Sequence, residues 1–121
     1  MITAKIKPFN ITRGNTYQEP LIITTYNNDD NEIPVTLTGY TITMDIRNGV
    51  TNKSPLLYSC STGDGSIFTE GDVHNIIVIN IQPEETIKWK GGKYYRDIKF
   101  EKDGEVYTYL EGIIQVRENI T

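Results

Sequence analysis

Few residues in this chain could do chemistry. His74 is the only histidine and Cys60 the only cysteine. A Cys–His nucleophilic pair needs contact and an orienting third group, and the sequence sets the two on different elements with no third group at hand. They read as a loop histidine and a small, half-buried thiol. Gly63-Asp64-Gly65 lacks the following helix that a phosphate-binding loop requires, so it reads as a turn. Glu84 and Glu85 follow Pro83, where acids complement the positive end of a helical turn. Asn28-Asp29-Asp30-Asn31-Glu32 offers oxygen ligands, but without the alternating spacing and glycine of a helix–loop–helix calcium site. Trp89 beside Gly91-Gly92 could stack a sugar ring; a tryptophan closing one end of a core is the better reading. No catalytic residue, cofactor or metal is assigned.

The elements that would position these residues are strands. The chain has 121 residues, 37% hydrophobic and 23% charged, the dimensions of one domain spanning 1–121. A net charge of −4 argues against general nucleic-acid or anionic-membrane binding. One cysteine excludes an intramolecular disulfide. No apolar run approaches membrane-spanning length, and no charged-then-apolar leader opens the chain. Synthesis in a cytoplasm is therefore expected, with the sequons at Asn10, Asn52 and Asn119 taken as chance matches.

Residues 1–8 alternate weakly and suit an edge strand or an arm. Thr16 to Tyr26 is β-branched and aromatic, and Pro20 within it demands an edge position or a bulge. Tyr40 to Arg47 has the cleanest period of two, with Ile42, Met44 and Ile46 inward. Leu56 to Ser61, Ser66 to Thr69 and Asn75 to Ile81 are shorter strands, and Gln82 to Trp89 is a single helical turn. The stretch from Lys93 to Val116 then reads as one long hairpin about Asp103-Gly104. A bulged three-residue loop, Lys102-Asp103-Gly104, would pair Glu101 with Glu105. It would set Tyr94, Ile98, Phe100, Val106, Leu110, Ile114 and Val116 on one face, the core face. Tyr95, Tyr107, Tyr109 and Ile113 then share the outer face and form the candidate protein interface, expected to be largely open in the isolated chain.

Seven or eight short strands with turns between them predict an all-β antiparallel sandwich, with one helical turn before the penultimate strand. Tyr94, following that turn, stands where an immunoglobulin-like domain places its tyrosine corner, with a hydroxyl partner expected between Gln82 and Thr86.

In order along the chain, Arg13-Gly14, Val35-Thr36-Leu37-Thr38-Gly39-Tyr40-Thr41 and Asp45-Ile46-Arg47 set a pattern. Gly65-Ser66-Ile67, Gly92-Lys93-Tyr94-Tyr95 with Asp97-Ile98, Asp103-Gly104 and Leu110-Glu111-Gly112-Ile113 complete it. The pattern resembles small immunoglobulin-like virion proteins of tailed bacteriophages and the N-terminal domains of phage upper-baseplate proteins, over residues 11 to 121. Arg96 departs from it, since an aromatic or aliphatic side chain is expected there. The resemblance implies a non-enzymatic building block of the tail, baseplate or head–tail region, located in the virion. Its partners would be other virion proteins and further copies of itself, with no nucleic acid and no membrane. A capsid decoration protein, or a carbohydrate- or host-surface-binding module using Trp89, are the alternatives.

Overall fold

The computed structural model describes residues 2–4, 7–26, 28–51 and 53–118, with 2–4, 26 and 107–109 described by their backbone alone. Among the described residues ten strands form two five-stranded sheets rather than the expected seven or eight strands: β1 (Ile2–Ala4), β2 (Phe9–Thr12), β3 (Tyr17–Tyr26), β4 (Glu32–Pro34), β5 (Thr41–Arg47), β6 (Leu56–Ser61), β7 (Ile67–Glu70), β8 (Ile76–Ile81), β9 (Gly92–Lys102) and β10 (Glu105–Arg117). The additional strands are β2 and β4, of four and three residues, too short to show a sustained period of two. One sheet runs β1-β3-β8-β7 with β4 on β3; the other runs β2-β10-β9-β5-β6.

The chain begins antiparallel to β3 in the first sheet and then crosses over. There Phe9–Thr12 pairs in parallel with Ile114–Arg117 in the second sheet. Apart from β2 and β10, the neighbouring strands pair antiparallel. Antibody domains set strands A, B, E and D against C, F and G. Here β1, β3, β8 and β7 stand as the former set and β5, β9 and β10 as the latter, with β6 added beyond β5 as in variable-type domains. The fold is an immunoglobulin-like β-sandwich.

Alternation decides which face is buried. Along β5 and β9 every second side chain is inside: Ile42, Met44 and Ile46, then Tyr94, Arg96, Ile98 and Phe100. They meet Tyr17, Leu21, Ile23, Ile77, Ile79 and Ile81 of the opposite sheet. Pro20 is accommodated in β3 for a specific reason. Odd-numbered amides of β3 point towards β8, as Ile23 N donating to Asn75 O at 2.8 Å shows. Pro20 therefore lacks its N–H on the β1 side, where the described pairing reaches only Ile23, Thr24 and Thr25. Locally that side is an edge.

The hairpin corrects one expectation. Glu105 pairs with Lys102, so the turn has two residues, Asp103 and Gly104, at φ of 55° and 81°. Two positive φ values make it a type I′ turn, whose twist matches the strands. Face consistency is restored further along, where one extra residue of β10 lies between Val106 and Thr108. Past that bulge Leu110 pairs with Ile98 and Ile114 with Tyr94, as expected for the core face. Val106 precedes the bulge and is 46% exposed, so it leaves the predicted core. Asp103→Val should therefore cost about 1–2 kcal/mol, the penalty of forcing a branched residue left-handed, while Asp103→Asn stays near neutral. Chemical denaturation of both variants checks this.

The lower end of the sandwich is closed by α1 (Pro83–Thr86) and the residues after it. Thr86 is buried and donates through Oγ1 to Asn15 O at 2.7 Å, tying α1 to the turn after β2. Trp89 is 1% exposed, with ring centroids 6.4 Å from Tyr17 and 6.1 Å from Tyr58. Its Nε1 donates to Glu85 Oε2 at 3.0 Å. Tyr94 is buried at the start of β9 and donates to Lys90 O at 2.8 Å, not to the 82–86 segment. Four residues upstream is close enough for the short chain reversal at this corner, so the tyrosine corner stands with a nearer acceptor. Tyr94→Phe should lose about 1 kcal/mol on equilibrium unfolding.

Candidate interface and the buried charge between the sheets

Two cross-strand rows on the outer face of the second sheet line the candidate site. Asp45, Asp97 and Glu111 are neighbours in one row; Arg47, Tyr95 and Ile113 form the next. Gly49, Val50 and Thr51 wall one side of these rows and leave a groove of about 310 Å³. Arg47 spans the wall and the sheet. It donates from Nη1 to Ser54 O at 3.0 Å and from Nη2 to Asp45 Oδ2 at 3.3 Å. Ser59 Oγ donates to the other Asp45 oxygen at 2.7 Å. Burial, then the neighbouring Asp45 charge, hold the Asp97 carboxyl above its ordinary range, with Arg47 acting against them.

Of the four predicted interface residues, the structure brings Tyr95 and Ile113 together as direct cross-strand partners on this face. The side chains of Tyr107 and Tyr109 lie outside the described residues. Tyr95 and Ile113 are half-buried rather than largely open, and Gly49, Val50 and Thr51 line the same groove. Lys93 Nζ lies 5.6 Å from the Tyr95 ring centroid, a cation–π distance.

The inner face of the same strand holds the residue that departs from the expected pattern. Arg96 is 2% exposed and reaches across to Glu19 on β3, engaging both carboxylate oxygens. Its Nη1 also donates to Tyr17 Oη at 2.9 Å and its Nη2 to Lys7 O at 3.2 Å. Tyr17 Oη donates in turn to Glu19 Oε1 at 2.9 Å. Arg96 Nε is the buried side-chain polar atom left without a partner among the described residues. Burial pulls the guanidinium pKa down, but the hydrogen bonds and negative charge of Glu19 outweigh it, so the net shift is upward. Burial pushes the Tyr17 hydroxyl far above its ordinary value. The cluster is a closed charge pair within the core. In antibody domains the second cysteine of the inter-sheet disulfide stands two residues after the corner tyrosine. Arg96 stands two after Tyr94, and its partner is on β3, so an ion pair links the sheets where a disulfide otherwise would.

Cys60, expected half-buried, lies deeper than that. Cys60 is buried, with its Sγ 3.7 Å from Met44 O and its pKa pushed up to about 12 chiefly by burial. His74 is exposed in the turn after β7, at φ 53°, with Nδ1 3.4 Å from Thr69 Oγ1. Glu32 Oε1 accepts from Thr24 Oγ1 at 2.8 Å. Among the described residues no group of His, Cys, Asp or Glu is placed to hold a metal. Buried Trp89 offers no face to a sugar.

No family model matches the chain, and no curated protein matches it. Among solved structures, CopC from Methylosinus trichosporium OB3b superposes with a TM-score of 0.50 at 8% identity, over 95% of this chain and 88% of that one. Murine CRIg gives a TM-score of 0.44 at 15% identity, covering 99% of each chain. At such identities the likeness to CopC is one of fold alone. With the strand order and the corner tyrosine above, the chain is an immunoglobulin-like β-sandwich in which a buried arginine–glutamate pair takes the place of the inter-sheet disulfide.

Proposed function

We propose that this chain is a non-enzymatic assembly module of a tailed-phage particle, in the tail, baseplate or head–tail region, which makes contacts to other virion proteins and to copies of itself. The observation that carries the reading is the outer-face groove walled by residues 49–51, where Tyr95 and Ile113 sit side by side. An aromatic and an aliphatic side chain ringed by charged neighbours have the composition of a protein contact, apolar at the centre and polar at the rim. The order of motifs that resembles phage virion proteins supports the tail, baseplate or head–tail address.

Replacing Tyr95 and Ile113 together by serine tests the reading. Each side chain is worth about 1.5–3 kcal/mol when fully buried against a partner, and 1.4 kcal/mol is tenfold in affinity. The variant should fold and fall at least about tenfold in copy number in purified particles. Unchanged copy number would overturn the proposed contact.

A further inference from the structure

The two ends of the sandwich carry opposite charge. Loop 28–34, turn 70–75 and hairpin tip 102–106 lie at one end. They are linked through Leu37 N donating to His74 O at 3.0 Å and Lys102 Nζ lying 5.3 Å from the Tyr40 ring. These segments hold seven carboxylates and one lysine, a formal charge of −6. At the other end lie segments 12–16, 48–51, 53–56, 63–66, 82–93 and 115–118, Asp64 lining one pocket with Gln82, Glu84, Glu85 and Lys88. They are joined by Thr86 to Asn15, by Arg13 N to Arg117 O at 2.7 Å and by Gly91 N to Glu118 Oε1 at 3.2 Å. Six cations there, against four carboxylates, leave +2. Arg47 and Glu101 are left out of both counts, since each pairs with a residue of the sheet face, Asp45 and Lys99.

Exposed apolar side chains follow the same division. Among the described residues eight large hydrophobics are exposed, and six of them sit at these ends. Ile33, Val73 and Val106 are at the acidic end, and Val50, Leu56 and Ile87 are at the basic end. Each end thus combines apolar groups with a charge field of one sign, and the fields are opposite.

We infer that copies of this chain dock end to end, the acidic end of one on the basic end of the next. This deepens the assembly reading above and rests on it for biological setting. The occupant follows from complementarity: the surface that matches each end in both charge and apolar content is the other end of an identical chain. Such a contact is heterologous, so it closes into a ring or extends as a filament according to the rotation between copies. Opposite fields of this size also orient two chains before contact and raise the rate of productive encounter.

The test uses the full chain in sedimentation velocity over a concentration series. From about 0.01 M to about 1 M sodium chloride the screening length falls from roughly 30 Å to 3 Å. The dissociation constant for self-association should rise by at least about tenfold over that range. Two neutralised variants sharpen the result: Lys88→Gln with Lys90→Gln at one end, and Glu70→Gln with Asp72→Asn at the other. Each alone should self-associate more weakly than the parent. Mixed, they should form one-to-one dimers that do not grow, because each retains only one competent end. Salt-independent association, a parent monomeric at all concentrations and salts, or neutralised variants that associate like the parent would overturn the inference. The two readings fail separately. A chain that is monomeric yet still enters particles leaves the assembly role standing without end-to-end docking. Salt-sensitive chains that never enter particles leave the docking without that role.

Discussion

Glu19→Gln should lower the unfolding free energy by about 3–5 kcal/mol, because it leaves the Arg96 guanidinium buried without its counter-charge. Total stabilities of single domains run to about 5–15 kcal/mol, so the variant should be near the edge of folding at room temperature. The size of the effect comes from geometry. Arg96 is 2% exposed and Glu19 6%, so neither can turn to water when its partner is lost. The pair itself is another matter. Removing both charges at once, as Glu19→Leu with Arg96→Met, should be neutral or stabilising by about 1–4 kcal/mol, since the desolvation cost disappears with the attraction. The orphaned Arg96 Nε adds to the expected gain, because one donor is buried without an acceptor. Urea unfolding of the single and double variants decides it. A single variant within 1 kcal/mol of the parent, roughly the value of one ordinary hydrogen bond, would mean that water reaches the pair.

Trp89→Ala should cost about 3–5 kcal/mol. The indole fills the space between Tyr17, Tyr58 and α1, and its removal also strips Glu85 of the Nε1–H that it accepts. The loss is local to the lower end but bears on the whole sandwich, because that end holds the corner at Tyr94 and the anchoring bond from Thr86 to Asn15. Trp89→Phe keeps part of the apolar volume and should lose distinctly less. As the only tryptophan, Trp89 also reports on the parent, which should emit as a buried indole until the sandwich opens.

How far the sequence could be read depended on the period of two. It placed Ile42, Met44 and Ile46 inside and kept Leu110 and Ile114 on the face of Ile98, because burial punishes a slipped register along a whole strand. The same period holds an unused signal for the ion pair. Arg96 falls between Tyr94 and Ile98, and Glu19 between Tyr17 and Leu21, so each inward face has one charge out of place. Opposite signs on facing sheets are the signal that could have joined them. Nothing local says which strands face each other, and the pairing of two residues 77 apart in the chain is a fact of topology. The turn was misplaced for a related reason. Face consistency requires one extra residue somewhere in the hairpin, and only the tertiary packing decides between the loop and a bulge beyond Val106. The candidate interface was half legible. Alternation put Tyr95 and Ile113 on one face, but the loop that walls their groove follows β5, and its sequence says nothing of where it folds.

The crossing of the first strand segment from one sheet to the other has a mechanical consequence. β1 starts at the acidic end beside Thr25, and β10 finishes at the basic end, beside Thr12 of the parallel β2. Pulling the two termini apart along the long axis therefore drags β2 and β10 past one another. The load falls on the bonds between Phe9–Thr12 and Ile114–Arg117 all together, in shear, instead of opening them in turn like a zip. A subunit held at both ends would resist tension until that whole patch gave way at once.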